Sequence, residues 1–558
     1  MKKIIKFIIA VGMLGLLMPA CTLDRYPTTQ ILLADAFQTF EDAERHRNGI
    51  YNELRRVRFG VVTTTTELMS DLFNASTGFG NRGGQPHRLQ VEFMNSFEVR
   101  DIWINLYGAI AQVNFFLDNI GNIEPANDDQ RGRITLFTAE AYYARAFLYS
   151  VLAQHFVYPL RNENGATMTW HGWSIDQPEL GLPLVSTFDF DARPFRSTIR
   201  ETFEFILADI ESAKVTDTLR DIFGTEIVVG LPAHRGVTDA ADQAEGAEVG
   251  RRAAGRITRD AVYALEARVR FMKRDFGGAF DLATQLINST NADGVTPRYP
   301  LGITETALRN MWRTDNSGED IFLLHVTSTS FGTASVQGGW AEQSMAVFST
   351  MNTATGRFNP DWLPTQSVLD LYTLGDHRLN VFFSNPETQI VEYLFPHHGV
   401  RFMYKWPGNT GVGPATARRH RPRMHSIAEM HLIRAEISGN PAHLTALRTA
   451  RGATTPIITS ENFAEELRNE WVREKIGEGF RIESLRRWGP VEGIAHWGLG
   501  TNRRAPQDPS AVAMYGSELF TERQMFDYQF YRLTLPIPAQ DMRTNPNIRQ
   551  TPSWVNPQ

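Results

Sequence analysis

Nucleophilic and metal-assisted catalysis each need particular side chains at particular spacings, and the familiar runs are missing here. There is no HExxH, no GxSxG and no phosphate-binding loop. His397-His398, His420, His425 and His431 are scattered rather than spaced as a ligand set, so they read as neutral surface or structural histidines and no metal site is expected. Gly408, Gly411 and Gly413 lack a strand-to-helix context and read as surface loop. Paired carboxylates for glycoside hydrolysis are defined by their separation in space, so 62 acidic residues single out no pair. No catalytic residue is assigned. The densest charged segment contains Arg473, Glu474, Glu478, Arg481, Arg486, Arg487 and Trp488. Guanidiniums and carboxylates so close together suit ion pairs that position parts of a fold. Pairing within Arg473 to Arg487, with Glu474, Glu478 and Glu483 as acceptors, is expected to tie the C-terminal segment to a helical core.

The one thiol among 558 residues is Cys21. Before it come Met1-Lys2-Lys3, an apolar run from Ile4 to Met18 broken only by Lys6, and Pro19-Ala20. A basic start, a short apolar run and a small residue make an export signal, residues 1–20, that is removed. A cysteine directly after the cut resembles the lipobox of a bacterial lipoprotein, where the thiol is acylated; Met18 stands where Leu is commoner. The run is short for a bilayer span and ends in Pro-Ala. A lone exported cysteine has no disulfide to make.

With 42% hydrophobic and 21% charged residues, the mature chain is globular and long enough for more than one apolar core. A net charge of −6 with both signs dispersed gives no basic footprint for nucleic acid, and no nucleic-acid partner is expected.

The periodicity predicts helices over Phe40–Arg58, Val99–Ile120 and Ile134–Phe156. In the second, Ile102, Leu106, Ile110, Val113 and Leu117 share a face; in the third, Phe137, Ala141, Ala144, Leu148 and Leu152 do. Thr63–Gln85 reads as a loop, as do Arg161–Pro194 and Gly224–Gly255. Thr198 followed by Glu201 is a capping box opening a helix with Ile199, Phe203, Ile206 and Ile210 inside. Two helical hairpins follow. Ile257–Met272 and Gly278–Ile287 meet around Asp275-Phe276-Gly277, with Ala264, Ala267, Ala279 and Ala283 at the crossing. Ile427–Ile437 and Ala442–Ala450 meet around Ser438-Gly439-Asn440-Pro441, with Ala428, Ala435 and Ala446 as the small residues. Small residues inside and a central turn are tetratricopeptide-like, although long irregular stretches, chiefly Asn288–Arg423, separate the hairpins.

Six segments, in order, resemble the SusD/RagB family of outer-membrane lipoproteins from Bacteroidetes. They are the mature start Cys21-Thr-Leu-Asp24-Arg-Tyr-Pro27; Arg145-Ala146-Phe147-Leu-Tyr149; Gly255-Arg256 through Ala261; Ala428-Glu429 through Ala435-Glu436; Arg473-Glu474 with Glu478-Gly479-Phe-Arg481 and Leu485-Arg486-Arg487-Trp488; and Leu535-Pro536-Ile537-Pro538 with Asn545-Pro546-Asn547. Ser484 stands where the family has an acidic residue, which removes one expected Arg–carboxylate pair.

The resemblance implies a mainly α fold, with tetratricopeptide-like hairpins as scaffold and long irregular loop insertions. It implies one domain over 21–558: scaffold about 40–156, 197–287 and 424–489, ligand or partner loops about 60–98, 160–196 and 288–423, and a tail at 490–558. It also implies binding without turnover and without a cofactor. The chain would face the cell exterior, held to the outer membrane by its lipid, and pass glycans to a SusC-like TonB-dependent transporter. The RagB branch handles peptides, and a surface glycosidase or peptidase is the alternative of another class. Flat rings stack on the apolar faces of sugars while polar groups fix hydroxyls. The candidate ligand contacts are therefore Asp71, Asn74, Phe79 and Arg82 in the first loop, Trp170 and Trp173 flanking His171 in the second, and Trp340, Tyr404 and Trp406 in the third. Trp103, Trp312, Trp471 and Trp488 sit in helical patterns and are expected in the core.

Overall fold

The computed structural model describes residues 36–58, 60–75, 87, 96–215, 217–220, 226–233, 255–313, 317–324, 351–352, 355–393, 395–406, 422–492, 507 and 532–555. Residues 1–20, Cys21, Phe79, Arg82, Trp340, the 408–413 glycines and His420 lie outside them. The chain opens with α1 (Phe40–Arg58), α2 (Val61–Met69), strand β1 (Phe73–Ala75), α3 (Phe97–Ile120) and α4 (Asp128–Phe156). Hairpin β2 (Leu160–Glu163) and β3 (Ala166–Thr169) leads to α5 (Ile199–Ala213). Hairpin β4 (Asp217–Arg220) and β5 (Glu226–Val229) precedes α6 (Arg259–Lys273) and α7 (Phe276–Ile287). The middle holds α8 (Glu305–Arg313), β6 (Asp320–Leu323), β7 (Met351–Asn352), β8 (Arg357–Phe358), β9 (Trp362–Pro364), α9 (Gln366–Leu369), α10 (His377–Phe382), β10 (Val391–Tyr393) and β11 (Phe395–His397). Strand β12 (Arg423–Ser426) runs into α11 (Ile427–Ser438), followed by α12 (Pro441–Ala450), α13 (Phe463–Lys475) and α14 (Arg481–Glu492). The tail carries α15 (Ala539–Thr544) and α16 (Pro552–Val555).

The long helices follow from their capping and periodicity. In α4, the Asn127 side chain accepts the Gln130 N–H, and Asp128 and Asp129 sit in the positive first turn. The box at α5 is complete: Thr198 Oγ1 accepts the Glu201 N–H, and the Glu201 carboxylate accepts the Thr198 N–H. The predicted stripes of α3, α4 and α5 are buried, apart from a half-buried Leu117. Together with α1 they form one apolar core.

A second core joins α6, α7, α11, α12 and α13. The hairpin α6–α7 turns through Arg274 in the left-handed region, and Asp275 caps α7 by accepting the Gly278 N–H. Hairpin α11–α12 turns through left-handed Gly439, with Asn440 as cap and Pro441 at the first helical position. Although far apart in sequence, the two hairpins pack together through α7 and α11. Ala264, Ala267, Ala279, Ala283, Ala428 and Ala435 are fully or almost fully buried, which permits the close approach. Ala446 is exposed instead; α12 turns Leu444, Leu447 and Ala450 inward.

Several stretches read as loop or irregular contain ordered elements. Within Thr63–Gln85, α2 is a helix, and every residue in it is buried. Its run of Val and Thr has poor helix propensity, because branched side chains lose χ1 freedom. Burial overrides that preference, and the threonine hydroxyls donate back to the preceding turn: Thr64 Oγ1 to Gly60 O and Thr66 Oγ1 to Val62 O. The 288–423 stretch likewise contributes α8, β9, α10 and part of a third core, with Leu68, Phe73, Trp312, Trp362, Phe382 and Trp406. Strand pairs stitch this region to the scaffold: β1 with β9, matching Asn74 to Leu363, and β6 with β12, matching Phe322 to His425. Within Gly224–Gly255, β5 is a strand.

Candidate functional site

Four of the candidate side chains point into the protein. Asp71, just after α2, is buried and receives two charge-assisted hydrogen bonds from Arg481, Nε and Nη2 each at 2.8 Å. Asn74 is buried on β1. Tyr404 packs edge-on to Phe358 and Phe402, with the Arg313 guanidinium 4.8 Å from its ring centre. Trp406 meets Trp312 edge-on, centroids 5.6 Å apart. All four are buried and pack or pair within the protein, because the middle insertion folds against the scaffold instead of lying open above it. The core assignment of Trp103, Trp312, Trp471 and Trp488 matches their burial. His425 is buried and bonded to Tyr143, His431 is buried on α11, and no group of three metal-ligating residues converges among the described residues.

Trp170 and Trp173 come together. The hairpin β2–β3 closes through Asn164 and Gly165, both with positive φ, the signature of an Asn-Gly turn. Immediately after β3 a second tight turn forms. The Gly172 N–H donates to Thr169 O at 2.9 Å, the Thr169 N–H to Trp173 O at 2.8 Å, and the Trp173 N–H to Thr169 Oγ1 at 3.1 Å. Gly172 adopts a φ of +80°, which allows the chain to reverse there. The reversal stacks three rings: Trp170 and His171 lie 3.8 Å apart at their centroids, His171 and Trp173 4.6 Å apart. Beneath them Tyr158 touches His171 and Trp173, and its hydroxyl is tied to Ser553 on α16. Trp170, His171 and Trp173 are each half-buried, so the stack is anchored by Tyr158 and keeps part of its surface exposed. Burial pushes His171 down to about 4, which leaves the imidazole neutral at neutral pH. Two indoles around a neutral imidazole form a platform suited to the apolar face of a planar ligand.

The charged segment at α13–α14 is interior, and its partners come from farther away than the sequence reading placed them. Glu474 is shared by Arg451, at 2.7 and 3.0 Å, and Arg378, at 3.1 Å. Arg378 also grips Asp376 and Glu470; Arg451 also grips Glu319. Glu478 receives Lys405 Nζ and Lys475 Nζ, each at 2.7 Å. Burial acts against the charged form of Glu478, yet Lys405, Lys475 and Arg58 together hold its carboxyl down at about 2. Arg487 bridges Glu483 and Glu436, and the Trp488 Nε1–H donates to Glu436. Arg486 has no carboxylate partner among the described residues, in keeping with Ser484; it donates to the carbonyls of Gln154 and Val157 at the end of α4. Arg481, Arg486 and Arg487 thus tie α14 to the residues just after α2, to α4 and to α11. Arg378, Lys405, Arg451 and Glu319 were not singled out from the sequence, because nothing local marks an arginine whose partner lies far along the chain.

Among the described residues, no helix is long and apolar enough to cross a membrane. No match was found among curated protein sequences. Solved structures share the fold. A SusD superfamily protein from Bacteroides thetaiotaomicron superposes with a TM-score of 0.65 at 20% identity, covering 92% of this chain and 99% of that one. A laminarin-binding SusD-like protein gives 0.63 at 17%, covering 92% and 100%. Surface glycan-binding protein A from Bacteroides fluxus gives 0.61 at 17%, covering 92% and 99%. A family model described as starch-binding, associating with outer membrane, matches residues 63–219, which contain the aromatic platform. The SusD family model matches residues 433–554, which contain the buried charge motif. Matched by these models at both ends and sharing the helical architecture between them, the chain belongs to the SusD family.

Proposed function

We propose that the mature chain is held to the outer membrane by a lipid on Cys21, faces the cell exterior, binds nutrient oligomers, chiefly glycans, and hands them unaltered to a SusC-like TonB-dependent transporter. The observation that carries the ligand part is the half-buried Trp170–His171–Trp173 stack on a doubly closed turn. Ring stacking on sugars needs a rigid aromatic face with little rotamer freedom left to lose, and the turn and the Tyr158–Ser553 anchor supply it. The similarity to laminarin-binding and glycan-binding proteins favours the same class over peptides. Acyl chains at Cys21 would supply the anchor, stable with more than one chain.

The test has two arms. Cys21→Ser should move the protein out of the membrane fraction and abolish its lipid mass increment; a variant that stays in the membrane with unchanged mass defeats the anchor. Purified mature protein incubated with glycan and peptide libraries should retain ligand and release no products. Product formation that disappears on replacing one carboxylate or histidine would make the protein an enzyme instead.

A further inference from the structure

The loop between Pro183 and Arg196 combines rigidity with exposed aromatic surface. Its backbone is held from several sides. Asn114 Nδ2 donates to Val185 O and Thr187 O, Tyr149 exchanges two hydrogen bonds with Val185, and Arg145 Nη1 donates to Ser186 O. Asp118 accepts the Phe188 N–H, while Asn547 and Asn545 donate to the carbonyls of Arg193 and Pro194. Arg145 is itself locked by Asp209, at 2.7 and 2.8 Å. On this frame Phe190 is 77% exposed and Phe195 63%. Phe188 backs Phe190 edge-on at 4.7 Å and rests on Phe115 at 5.1 Å. A flexible loop could fold such rings away; this one holds them in water, as a preorganised anchor would.

The charge around the rings selects the occupant. Asp118, Asp189 and Asp191 are exposed at the rim. The one cation of the turn, Arg193, is folded back onto the carbonyls of Phe190 and Ala192. An anionic lipid surface would be repelled by that rim, and a two-fold contact with a second copy would set acid against acid. We infer that this loop docks a protein surface with an apolar socket edged by lysine or arginine. Phe37, near the first described residue, meets Phe115 and Phe116 edge-on, so the knob lies close to this point of the chain. The chain from Cys21 to Phe37 reaches at most roughly 55 Å. If Cys21 carries the proposed anchor, a protein of the same membrane is within range; that link rests on the anchor, whereas the knob does not.

The test replaces Phe190 with the photo-cross-linker p-benzoylphenylalanine in the full-length chain in its native membrane. The expected adduct is a single polypeptide whose cross-linked peptide contains Lys or Arg. In an Asp189→Lys, Asp191→Lys background its yield should fall about tenfold, with thermal stability unchanged. An adduct to lipid, to glycan or to a second copy, no adduct at all, or an adduct indifferent to the charge reversal each overturns the inference. Glycan titration of Phe190→Ser separates this surface from the ligand platform: affinity should be unchanged, and a loss would make Phe190 a ligand contact and defeat the docking role.

Discussion

Replacing Asp71 by alanine distinguishes a structural carboxylate from a ligand-binding one. Asp71 and Arg481 are both about 5% exposed and joined by two hydrogen bonds of 2.8 Å. Hydrogen bonds to charged groups contribute about 1.5–3 kcal/mol each, and breaking a buried pair on one side costs about 3–5 kcal/mol, because the surviving charge stays buried. Both routes place the loss near 4 kcal/mol. With a urea slope of about 3 kcal/mol/M, the transition that reports α2 and α14 should shift down by about 1.3 M. Asp71→Ala combined with Arg481→Met removes both charges, so the double variant should recover at least about 2 kcal/mol relative to additivity. Urea titration followed by tryptophan fluorescence supplies the midpoints, and calorimetry on the folded variants supplies ligand affinity. If Asp71→Ala kept its midpoint but lost ligand binding, the interior assignment of Asp71 would be wrong.

Three further outcomes follow from the geometry. Glu478 is held at about 2 when folded, against an ordinary value of 4.5, so the native state binds fewer protons between these pH values. Its contribution, about 3 kcal/mol, is complete above pH 4.5 and is lost as pH falls toward 2; urea midpoints against pH should show this, with a shallower acid limb in Glu478→Gln. Gly477 has a φ of +78°, and a Cβ there would lie 2.7 Å from both Met403 Sδ and Trp406 Cζ3. Gly477→Ala should therefore cost about 2 kcal/mol or more, read as a lowered urea midpoint. His171, held near 4, stays neutral across ordinary pH, so ligand affinity measured by calorimetry should be flat from about pH 6 to 8.

The long helices were legible because their signals are local. Residues Phe40–Arg58 and the Thr198–Glu201 box carry period and cap within a few turns, and the structure reproduces both. Helix α2 was not legible: its Val-Thr run argues against a helix, and only burial on every side makes one. The same limit governs the site. An aromatic residue in a nominal loop does not reveal which side of the loop it faces; Trp406 turned inward under α8, whereas Trp170 and Trp173 stayed at the surface. Charge density at Arg473–Arg487 announced ion pairs, but Glu474 is satisfied by Arg378 and Arg451, outside that window. Pairing between distant segments is a property of the fold and leaves no periodic trace.

The most direct measurement is a calorimetric titration of the mature protein, and of its Trp170→Ala, Trp173→Ala variant, with glycan and peptide libraries. Covering roughly 60 Å² of each indole at about 25 cal/mol per Å² contributes about 1.5 kcal/mol per ring, or about a hundredfold in affinity for the pair. The account predicts glycan binding by the parent chain, weakened by about that factor in a folded variant. Glycan affinity that survives loss of both indoles, or a chain that takes peptides and ignores glycans, would contradict it.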